Sequence, residues 1–128
     1  PPWGFVAGAD LRTGEIAWKR RNGTTMDMTP LPLPLPLGMP GIGGPVISGS
    51  GVVFMAAAVD NYLRAYDLTT GRELWRGRLP AGGQATPMTY LDSQGRQTVV
   101  LVAGGHGSIG TDLGDHVLAW RLPAATGN

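Results

Sequence analysis

The chain has no cysteine, no long apolar run and no excess of charge of either sign. Without cysteine it can build neither a disulfide framework nor a thiolate zinc site. Because it has no run of about 18 consecutive apolar residues, it contains no candidate membrane-spanning helix. Ten basic and nine acidic residues leave a net charge of +1 and no basic stripe, which gives little support to nucleic-acid binding through phosphate contacts.

The chain also lacks an initiating methionine and a signal-peptide pattern, and we therefore expect it to be cut from a longer protein. Glycine (21) and proline (11) make up a quarter of the 128 residues, about twice their average share. With 42% hydrophobic residues and four tryptophans, the composition is nevertheless not that of a disordered chain. Many short strands separated by turns are the better interpretation.

A repeat organises the chain. Residues 5–18 read FVAGADLRTGEIAW, and residues 62–75 read YLRAYDLTTGRELW. The two copies share an aspartate, a threonine–glycine pair and a tryptophan at the same spacing, namely Asp10, Thr13, Gly14 and Trp18 against Asp67, Thr70, Gly71 and Trp75. A partial third copy, HVLAWRL, covers residues 116–122. In each full copy, an alternating strand, a glycine turn and a second strand that carries tryptophan predict a β-hairpin.

The repeat predicts an all-β fold, a partial β-propeller of about two and a half four-stranded antiparallel blades, with a β-sandwich as the alternative. We assign the whole chain, residues 1–128, to this one domain. Its expected parts are strands of a first blade (5–21), a proline-rich loop (22–44), a full blade (45–79), a last partial blade (85–122) and a tail (123–128). The expected strands include VVFMAAA at 52–58 and ATPMTY at 85–90.

The long connections are expected on one face of the propeller. Strands of a blade run antiparallel, so alternate connections lie at the same end of the ring. The short glycine turns then share one end, and residues 22–44, 59–61, 80–84 and 104–115 share the other. Because function concentrates on long loops held by a rigid scaffold, the site is expected at this second end.

Three glycines in the last of these loops, Gly105, Gly107 and Gly110, spell the G-x-G-x-x-G pattern of dinucleotide-binding turns. That pattern needs a following helix and an acidic residue about 20 positions further on. Gly114 interrupts the segment that follows, and the next residues match a strand of the repeat. We therefore expect a loop between two strands rather than a nucleotide site.

Other residues have both a functional and a structural interpretation. His106 and His116 fit no compact metal-ligand spacing; His116 begins an expected strand, whereas His106 lies between glycines where a ligand can reach it. Asp60, next to Asn61, could line a binding site or only shape a turn. The run PLPLPLPLGMP is either a polyproline ligand for another protein or an extended loop whose leucines pack down. The repeated tryptophans are expected to pack between blades.

Three segments carry a resemblance to a known family: VDNYLRAYDLTTG at 59–71, LWRGRLPAGGQATPMTY at 74–90 and AGGHGSIGTDLGD at 103–115. They are similar to the C-terminal segment of the propeller domain in membrane-bound quinoprotein dehydrogenases of the glucose, quinate and shikimate group, which use pyrroloquinoline quinone (PQQ). The repeated A-x-D-x-x-x-G-x-x-x-W resembles the tryptophan-docking motif of eight-bladed quinoprotein propellers. One copy departs from that motif with Gly8 in place of alanine, and the last copy has Arg121 in place of aspartate.

The resemblance implies a parent enzyme that oxidises a sugar or cyclic polyol with PQQ beside Ca²⁺ or Mg²⁺ and passes electrons to ubiquinone. It also implies a membrane anchor in an absent N-terminal region, on the periplasmic side of the bacterial inner membrane. The expected partners are therefore the rest of the propeller chain, the substrate and ubiquinone, and no nucleic acid. A non-catalytic propeller module that binds proteins is the alternative.

The family's cofactor neighbourhood maps onto two residues of the chosen loops, Asp60 and His106, and neighbouring loop residues are added because they reach the same face. The expected cofactor-binding residues are Asp60, Asn61, Gly83, Gln84, Gly105 and His106. His106 is also expected to orient substrate or cofactor, since its ring both donates and accepts hydrogen bonds. The catalytic base and the metal ligands are expected outside this chain, and the segment alone is expected to be inactive.

Overall fold

Nine β-strands run through the computed structural model, which describes residues 1–31 and 33–122. The strands are β1 (Phe5–Asp10), β2 (Glu15–Arg21), β3 (Val46–Ile47), β4 (Val52–Met55), β5 (Tyr62–Asp67), β6 (Glu73–Arg78), β7 (Met88–Leu91), β8 (Gln97–Ala103) and β9 (His116–Arg121). A short 3₁₀ helix, Gly107–Ile109, precedes β9. No helix in these two ranges is long and apolar enough to cross a membrane. The expected tail, residues 123–128, lies outside the described residues.

The strands form three antiparallel sheets. β1 pairs with β2, the second sheet has the order β3-β4-β5-β6, and the third has the order β7-β8-β9. Alternating side chains face the interior, as in β4, where Val53 and Met55 are buried while Val52 and Phe54 are half-buried. The prediction of an all-β fold is confirmed.

The repeated aspartate shapes the turn of each hairpin. Asp67 Oδ1 accepts hydrogen bonds from the backbone N–H groups of Thr69 (3.0 Å) and Thr70 (2.8 Å) and from Thr70 Oγ1 (2.9 Å). The bonds from Thr70, with that from Thr69, lower the pKa of Asp67. Asp10 accepts in the same way from the N–H two residues further on, at 2.8 Å. Gly71 then takes a φ of +67°, which glycine adopts at little cost, so the chain can return as β6.

Tryptophans join neighbouring sheets, as the repeat predicts. Trp18 Nε1 in β2 donates a hydrogen bond to Leu68 O at 2.7 Å, just beyond β5. Its indole ring covers Gly71, where any Cβ would overlap the ring. Trp75 in β6 meets Trp120 in β9 edge to face, with ring centroids 6.1 Å apart. Each sheet is therefore attached to the next one along the chain.

A separate apolar cluster fills each interface between sheets. The first and second sheets enclose Val6, Val53, Met55, Ala57 and Tyr66. The second and third sheets, with the loops beside them, enclose Ala56, Leu63, Leu79, Ala81, Val99, Leu101 and Ala103. Leu63 and Tyr66 of β5 belong to different clusters, so the second sheet buries both of its faces. This is the packing that sequential blades of a ring require.

The strands β4 and β7 are among those that are shorter than the sequence predicts. β4 ends at Met55 rather than at residue 58, because Ala57 takes a φ of +54° and its N–H donates to Gly83 O at 2.8 Å. β7 begins at Met88 rather than at residue 85, because Pro87 has no N–H to donate to a ladder. The residues released from these strands become part of the loops.

The proline-rich segment leaves the fold and returns to its starting point. Met39 N–H donates to Asn22 O at 2.7 Å, which joins the two ends of residues 22–39. Three of its leucines are more than half exposed, namely Leu31, Leu33 and Leu35. These three side chains are therefore largely exposed among the described residues, whereas Leu37 is half-buried.

Replacement of Gly71 by alanine should destabilise the protein markedly. A positive φ costs alanine about 1–2 kcal/mol, and the overlap with the Trp18 indole adds about 1–3 kcal/mol. Gly95→Ala is the matched control, because Gly95 has a φ of +72° but open space where the Cβ would lie. Urea unfolding should show a clearly larger loss for Gly71→Ala, and equal losses would refute the docking of Trp18 on this glycine.

Tyr66 should make stability depend on pH in the alkaline range. Burial raises the pKa of the Tyr66 phenol to about 12, whereas a tyrosine in an unfolded chain ionises near about 10. As the pH rises, the unfolded state loses the phenol proton first. The contribution of the buried phenol to the free energy of unfolding is therefore complete below about pH 10 and should be lost between about pH 10 and about pH 12.

Tyr66→Phe tests this dependence by urea unfolding at steps from about pH 8 to about pH 12. The variant should be less stable near pH 8 by about 1 kcal/mol, because the hydroxyl no longer donates to Asn22 Oδ1. The gap should close as the pH rises, since phenylalanine does not titrate. If the difference in stability between the two proteins stayed constant over the whole range, the raised pKa of Tyr66 would be ruled out as the cause of the pH dependence.

Candidate functional site

Four loops meet at one end of the sheets, and we call this surface the loop face: residues 22–45, 56–61, 79–87 and 104–115. Backbone hydrogen bonds join them directly. Gly82 N–H donates to Asp112 O at 2.9 Å, and Gly105 N–H donates to Gly82 O at 2.8 Å. The contact expected between these loops from strand alternation is therefore present in the structure.

Asp60 lies beneath the loop face and has no exposed surface. Its Oδ1 accepts from Arg64 Nη1 at 2.9 Å, and its Oδ2 contacts Arg64 Nη2. Oδ2 also accepts from the backbone N–H (2.7 Å) and hydroxyl (2.9 Å) of Thr24. Both carboxylate oxygens are thus used inside the protein. Asp60 thus joins loop 56–61 to loop 22–45, and its side chain is not accessible to solvent.

Arg64 is the other half of this buried pair, with a side chain only 2% exposed. Burial by itself would lower the pKa of Arg64, but the hydrogen bond and the charge of Asp60 outweigh burial and raise it. Glu73 adds a weaker contact, with Oε2 at 3.7 Å from Arg64 Nε. Sequence reasoning missed Arg64. The available signal was an arginine among apolar residues of a central strand, a setting in which arginine is rarely buried unless it is paired.

A second arginine holds the proline-rich loop. Arg78 forms a bidentate ion pair with Asp27, and its Nη1 donates to the backbone O of Asp60 at 3.0 Å. The hydrogen bond that Arg78 donates to Asp27 is the main cause that raises the pKa of Arg78. Loop 22–45 is therefore held at two points. Thr24 bonds the side chain of Asp60, and Asp27 pairs with Arg78, which bonds the backbone of Asp60.

Asn61 carries the polar atom that the described residues leave unsatisfied. It has a φ of +45° and is 2% exposed, and its Nδ2 donates to Asp112 Oδ2 at 3.0 Å. Its Oδ1 is buried and has no hydrogen-bond partner in residues 1–31 and 33–122. A carboxylate only accepts, so the amide nitrogen must face Asp112 and the unpaired atom is an acceptor. Such an atom costs about 1–3 kcal/mol until a donor reaches it.

Gln84 and the two expected glycines have internal reasons for their identities. Gln84 Oε1 accepts from Thr111 Oγ1 at 2.9 Å, and its Nε2 donates to Ala58 O at 3.3 Å. A Cβ on Gly83 would lie 2.5 Å from Leu79 Cδ1, and a Cβ on Gly105 would overlap the backbone of the same loop. These three residues therefore let the loops pack against one another, and the sequence pattern did not predict this role.

His106 lies on the outer side of the loop face and is exposed. Its Nδ1 is 2.9 Å from Ser108 Oγ, and its N–H donates to Thr111 Oγ1 at 2.8 Å. Nε2 makes no hydrogen bond within the described part of the chain, so the ring can donate to or accept from a ligand. His116, by contrast, begins β9, as predicted. The segment after Gly110 leads into β9 rather than a helix, which confirms that the glycine pattern is no strand-to-helix nucleotide turn.

Metal binding by these residues alone has no geometric support. Among residues 1–31 and 33–122, no three or more His, Cys, Asp or Glu side chains lie together in a way that could hold an ion. The loop face therefore offers a buried acceptor and an exposed imidazole on a charged, rigid base.

Asp60→Asn should destabilise the protein by about 3–5 kcal/mol, because the buried Arg64 guanidinium keeps only the weak 3.7 Å contact with Glu73 as a counter-charge. Asp10→Asn is the control, since the Asp10–Arg12 pair is largely exposed and separated by 3.5 Å, and exposed pairs contribute below about 1 kcal/mol. Urea unfolding followed by tryptophan fluorescence measures both. Equal small losses would show that the Asp60–Arg64 pair is not what holds the loops.

Comparisons with known proteins agree with this architecture. The family model described as "PQQ: Glucose/ethanol/alcohol dehydrogenase, beta-propeller domain" matches residues 1–99. The quinoprotein glucose dehydrogenase of Escherichia coli (strain K12) is 54% identical over 127 residues, 96% of this chain and 16% of that protein. The probable quinate dehydrogenase (quinone) of Xanthomonas campestris pv. juglandis is 46% identical over 130 residues, 98% of this chain and 16% of that protein. The chain thus spans about a sixth of the length of these curated relatives.

Solved structures give the fold. A crystal structure of quinohemoprotein alcohol dehydrogenase from Comamonas testosteroni matches with a TM-score of 0.61 at 21% identity, covering 91% of this chain and 16% of that one. A europium-containing methanol dehydrogenase matches with a TM-score of 0.54 at 25% identity, covering 76% of this chain and 14% of that one. The three antiparallel sheets are therefore a partial β-propeller, as predicted, and the chain belongs to the family of PQQ-dependent dehydrogenase β-propellers.

Proposed function

We propose that this chain is the C-terminal part of a PQQ-dependent dehydrogenase that oxidises a sugar or cyclic polyol. The family supports the use of PQQ, and relatives named as glucose and quinate dehydrogenases support the substrate class. The word quinone in the name of the second relative supports a quinone acceptor, for which we propose ubiquinone. In this proposal residues 5–21, 45–79 and 85–122 are parts of three sequential blades.

The place of the enzyme in the cell follows from the same proposal. A region N-terminal to this chain would anchor it in the bacterial inner membrane, with the propeller on the periplasmic side. That region, together with the remaining blades, would also carry the catalytic base and the ligands for Ca²⁺ or Mg²⁺.

The single observation in this structure that supports a ligand at the loop face is the unpaired Asn61 Oδ1. A buried acceptor without a donor fits a site that a ligand completes, and PQQ offers an N–H group on its pyrrole ring. When bound, PQQ supplies the redox chemistry by taking up the electrons removed from the substrate. Asn61 would accept a hydrogen bond from a ligand, and His106 would orient the substrate or the cofactor through its free ring nitrogen.

The other expected cofactor-binding residues hold Asn61 and His106 in place. Asp60 holds the loops beneath Asn61, and Gln84 anchors the loop that carries His106. Gly83 and Gly105 let the loops pack closely enough for this arrangement. We propose that these four contribute to cofactor binding by shaping the surface, whereas Asn61 and His106 contact the ligand.

A protein-binding module without catalysis is the second candidate. The observation that favours it is the exposed row of leucines in the proline-rich segment: Leu31, Leu33 and Leu35. An extended proline-rich stretch with exposed side chains is a common ligand of aromatic-lined grooves. This reading needs no PQQ, so a cofactor experiment separates it from the dehydrogenase.

The test uses the full-length protein, freed of cofactor and then supplied with PQQ and Ca²⁺. Reduction of an electron-accepting dye should require PQQ and a sugar or cyclic polyol such as glucose or quinate. His106→Ala should raise the KM for substrate, or the PQQ concentration at half saturation, about tenfold, the effect of one or two lost hydrogen bonds. His116→Ala is the matched control and should change neither value.

Three results would count against the proposal. Absence of PQQ-dependent dye reduction in the wild-type protein would favour the protein-binding module. Unchanged constants in His106→Ala would remove His106 from the site. Dye reduction by the 128-residue chain alone would show that the base and metal ligands lie within it.

A further inference from the structure

Thr111 joins the loop of His106 to the loop that follows β6. It is 8% exposed, and its Oγ1 accepts from His106 N–H at 2.8 Å and donates to Gln84 Oε1 at 2.9 Å. Gln84 continues the chain of bonds, because its Nε2 donates to Ala58 O at 3.3 Å. The Thr111 hydroxyl and the Gln84 amide together therefore connect three of the four loops of the loop face.

The direction of each bond in this chain follows from the chemistry of the groups. A backbone N–H only donates, so Thr111 must accept from His106 and use its single proton for Gln84. Gln84 presents its oxygen to that proton because its amide nitrogen faces Ala58 O. A hydroxyl can accept and donate at the same time, whereas the isosteric side chain of valine can do neither.

Gly82 provides the room for this junction. A Cβ on Gly82 would overlap Thr111 Oγ1. The backbone of Gly82 also bonds both ends of the His106 loop, since its N–H donates to Asp112 O (2.9 Å) and its O accepts from Gly105 N–H (2.8 Å). Residues 106–111 are thus closed into a loop of defined shape, and Thr111 is the side chain that fixes its interior.

The imidazole of His106 depends on this backbone for its direction. The ring is exposed, and within the described residues its only hydrogen bond is the short-range contact with Ser108 Oγ. Its backbone is extended, with φ −151° and ψ 114°, and the N–H that fixes this extended unit is the one bound by Thr111. Loss of the hydroxyl would leave the His106 backbone with only the bond from Ile109 N–H to His106 O (3.2 Å), and the ring could then move relative to a bound ligand.

We propose that Thr111 is a positioning residue of the dehydrogenase, which acts through His106 and orients its imidazole toward the substrate or cofactor. The proposal rests on the function proposed above for His106. It adds a residue that is not among the cofactor-binding residues expected from the sequence. It also assigns a purpose to Gly82 and Gln84, which make the Thr111 junction possible.

The experiment compares Thr111→Val with wild type in the full-length protein, with PQQ and Ca²⁺ supplied. We expect the KM for substrate or the dissociation constant for PQQ to rise about fivefold, with kcat changed less, since the loss is one of orientation. Quenching of protein fluorescence as PQQ is added to the apoprotein measures cofactor binding without turnover. The two readouts distinguish a role toward the cofactor from a role toward the substrate.

Three further variants separate positioning from a general structural role. Thr111→Ser retains the hydroxyl and should restore the wild-type constants. Thr89→Val is the matched control, because the Thr89 hydroxyl also donates to a carbonyl (3.1 Å) and accepts from an amide (3.0 Å), but within the β7–β8 ladder. Thr111→Ala removes the hydroxyl with less crowding, for use if the valine variant does not fold.

A double-mutant cycle decides the question. If Thr111 acts through His106, Thr111→Val should change the affected constant less than about twofold in a His106→Ala background. A fivefold effect in both backgrounds, or an equal effect of Thr89→Val, would overturn the proposal while leaving the dehydrogenase function intact. A wild-type protein that neither binds PQQ nor oxidises a polyol would overturn the proposed function, and this inference with it.

Discussion

The buried ion pair between Asp60 and Arg64 is the constraint on which the arrangement of the loops depends. Removing two charges from water costs several kcal/mol for each ion, and attraction offsets this only if the geometry is good and the remaining polar atoms are satisfied. Both conditions are met, because the guanidinium faces both carboxylate oxygens and Thr24 supplies two more donors. The pair therefore stabilises one loop arrangement, the one in which Thr24 reaches Asp60.

The consequences extend outward from this pair. Thr24 fixes the start of the proline-rich loop, and Arg78 joins Asp27 of that loop to the backbone of Asp60. With both neighbours held, Asn61 can maintain a positive φ that costs a residue with a side chain some energy. Its amide then meets Asp112 of the last loop. A rigid charged layer beneath the surface thus sets the positions of groups that lie nearer to a ligand.

Features that depend on local sequence could be predicted, and those that depend on distant partners could not. The hairpins followed from the Asp-x-Thr-Gly turns, and the docking of Trp18 followed from the spacing of the repeat. The meeting of the loops followed from strand alternation alone. By contrast, Thr24 and Asp60 are 36 positions apart, and Asn61 and Asp112 are 51 apart. No periodicity links such residues, so the role of Thr24 was visible only in the structure.

The same distinction between local sequence features and distant contacts explains which residues of the candidate site could be predicted. A residue next to a glycine draws attention in a sequence, and His106 was found in this way. Gly83 and Gly105 were added because their loops reach the same face, yet the atoms that exclude a side chain from them belong to the protein itself. Glycine at a loop therefore indicates close approach without indicating what approaches. Only the three-dimensional packing distinguishes a neighbouring loop from a bound cofactor.

The polar groups of the loop face differ in what they leave available, and this difference bears on function. Asp60, Arg64 and Gln84 have their hydrogen-bonding groups directed at other parts of the protein, so they maintain shape. Asn61 Oδ1 and the outer nitrogen of His106 make no such bonds within the described residues. A surface made only for stability would have little reason to keep a buried acceptor unpaired at a cost of about 1–3 kcal/mol. A surface that is completed by a ligand, or by the blades that close the ring, has that reason.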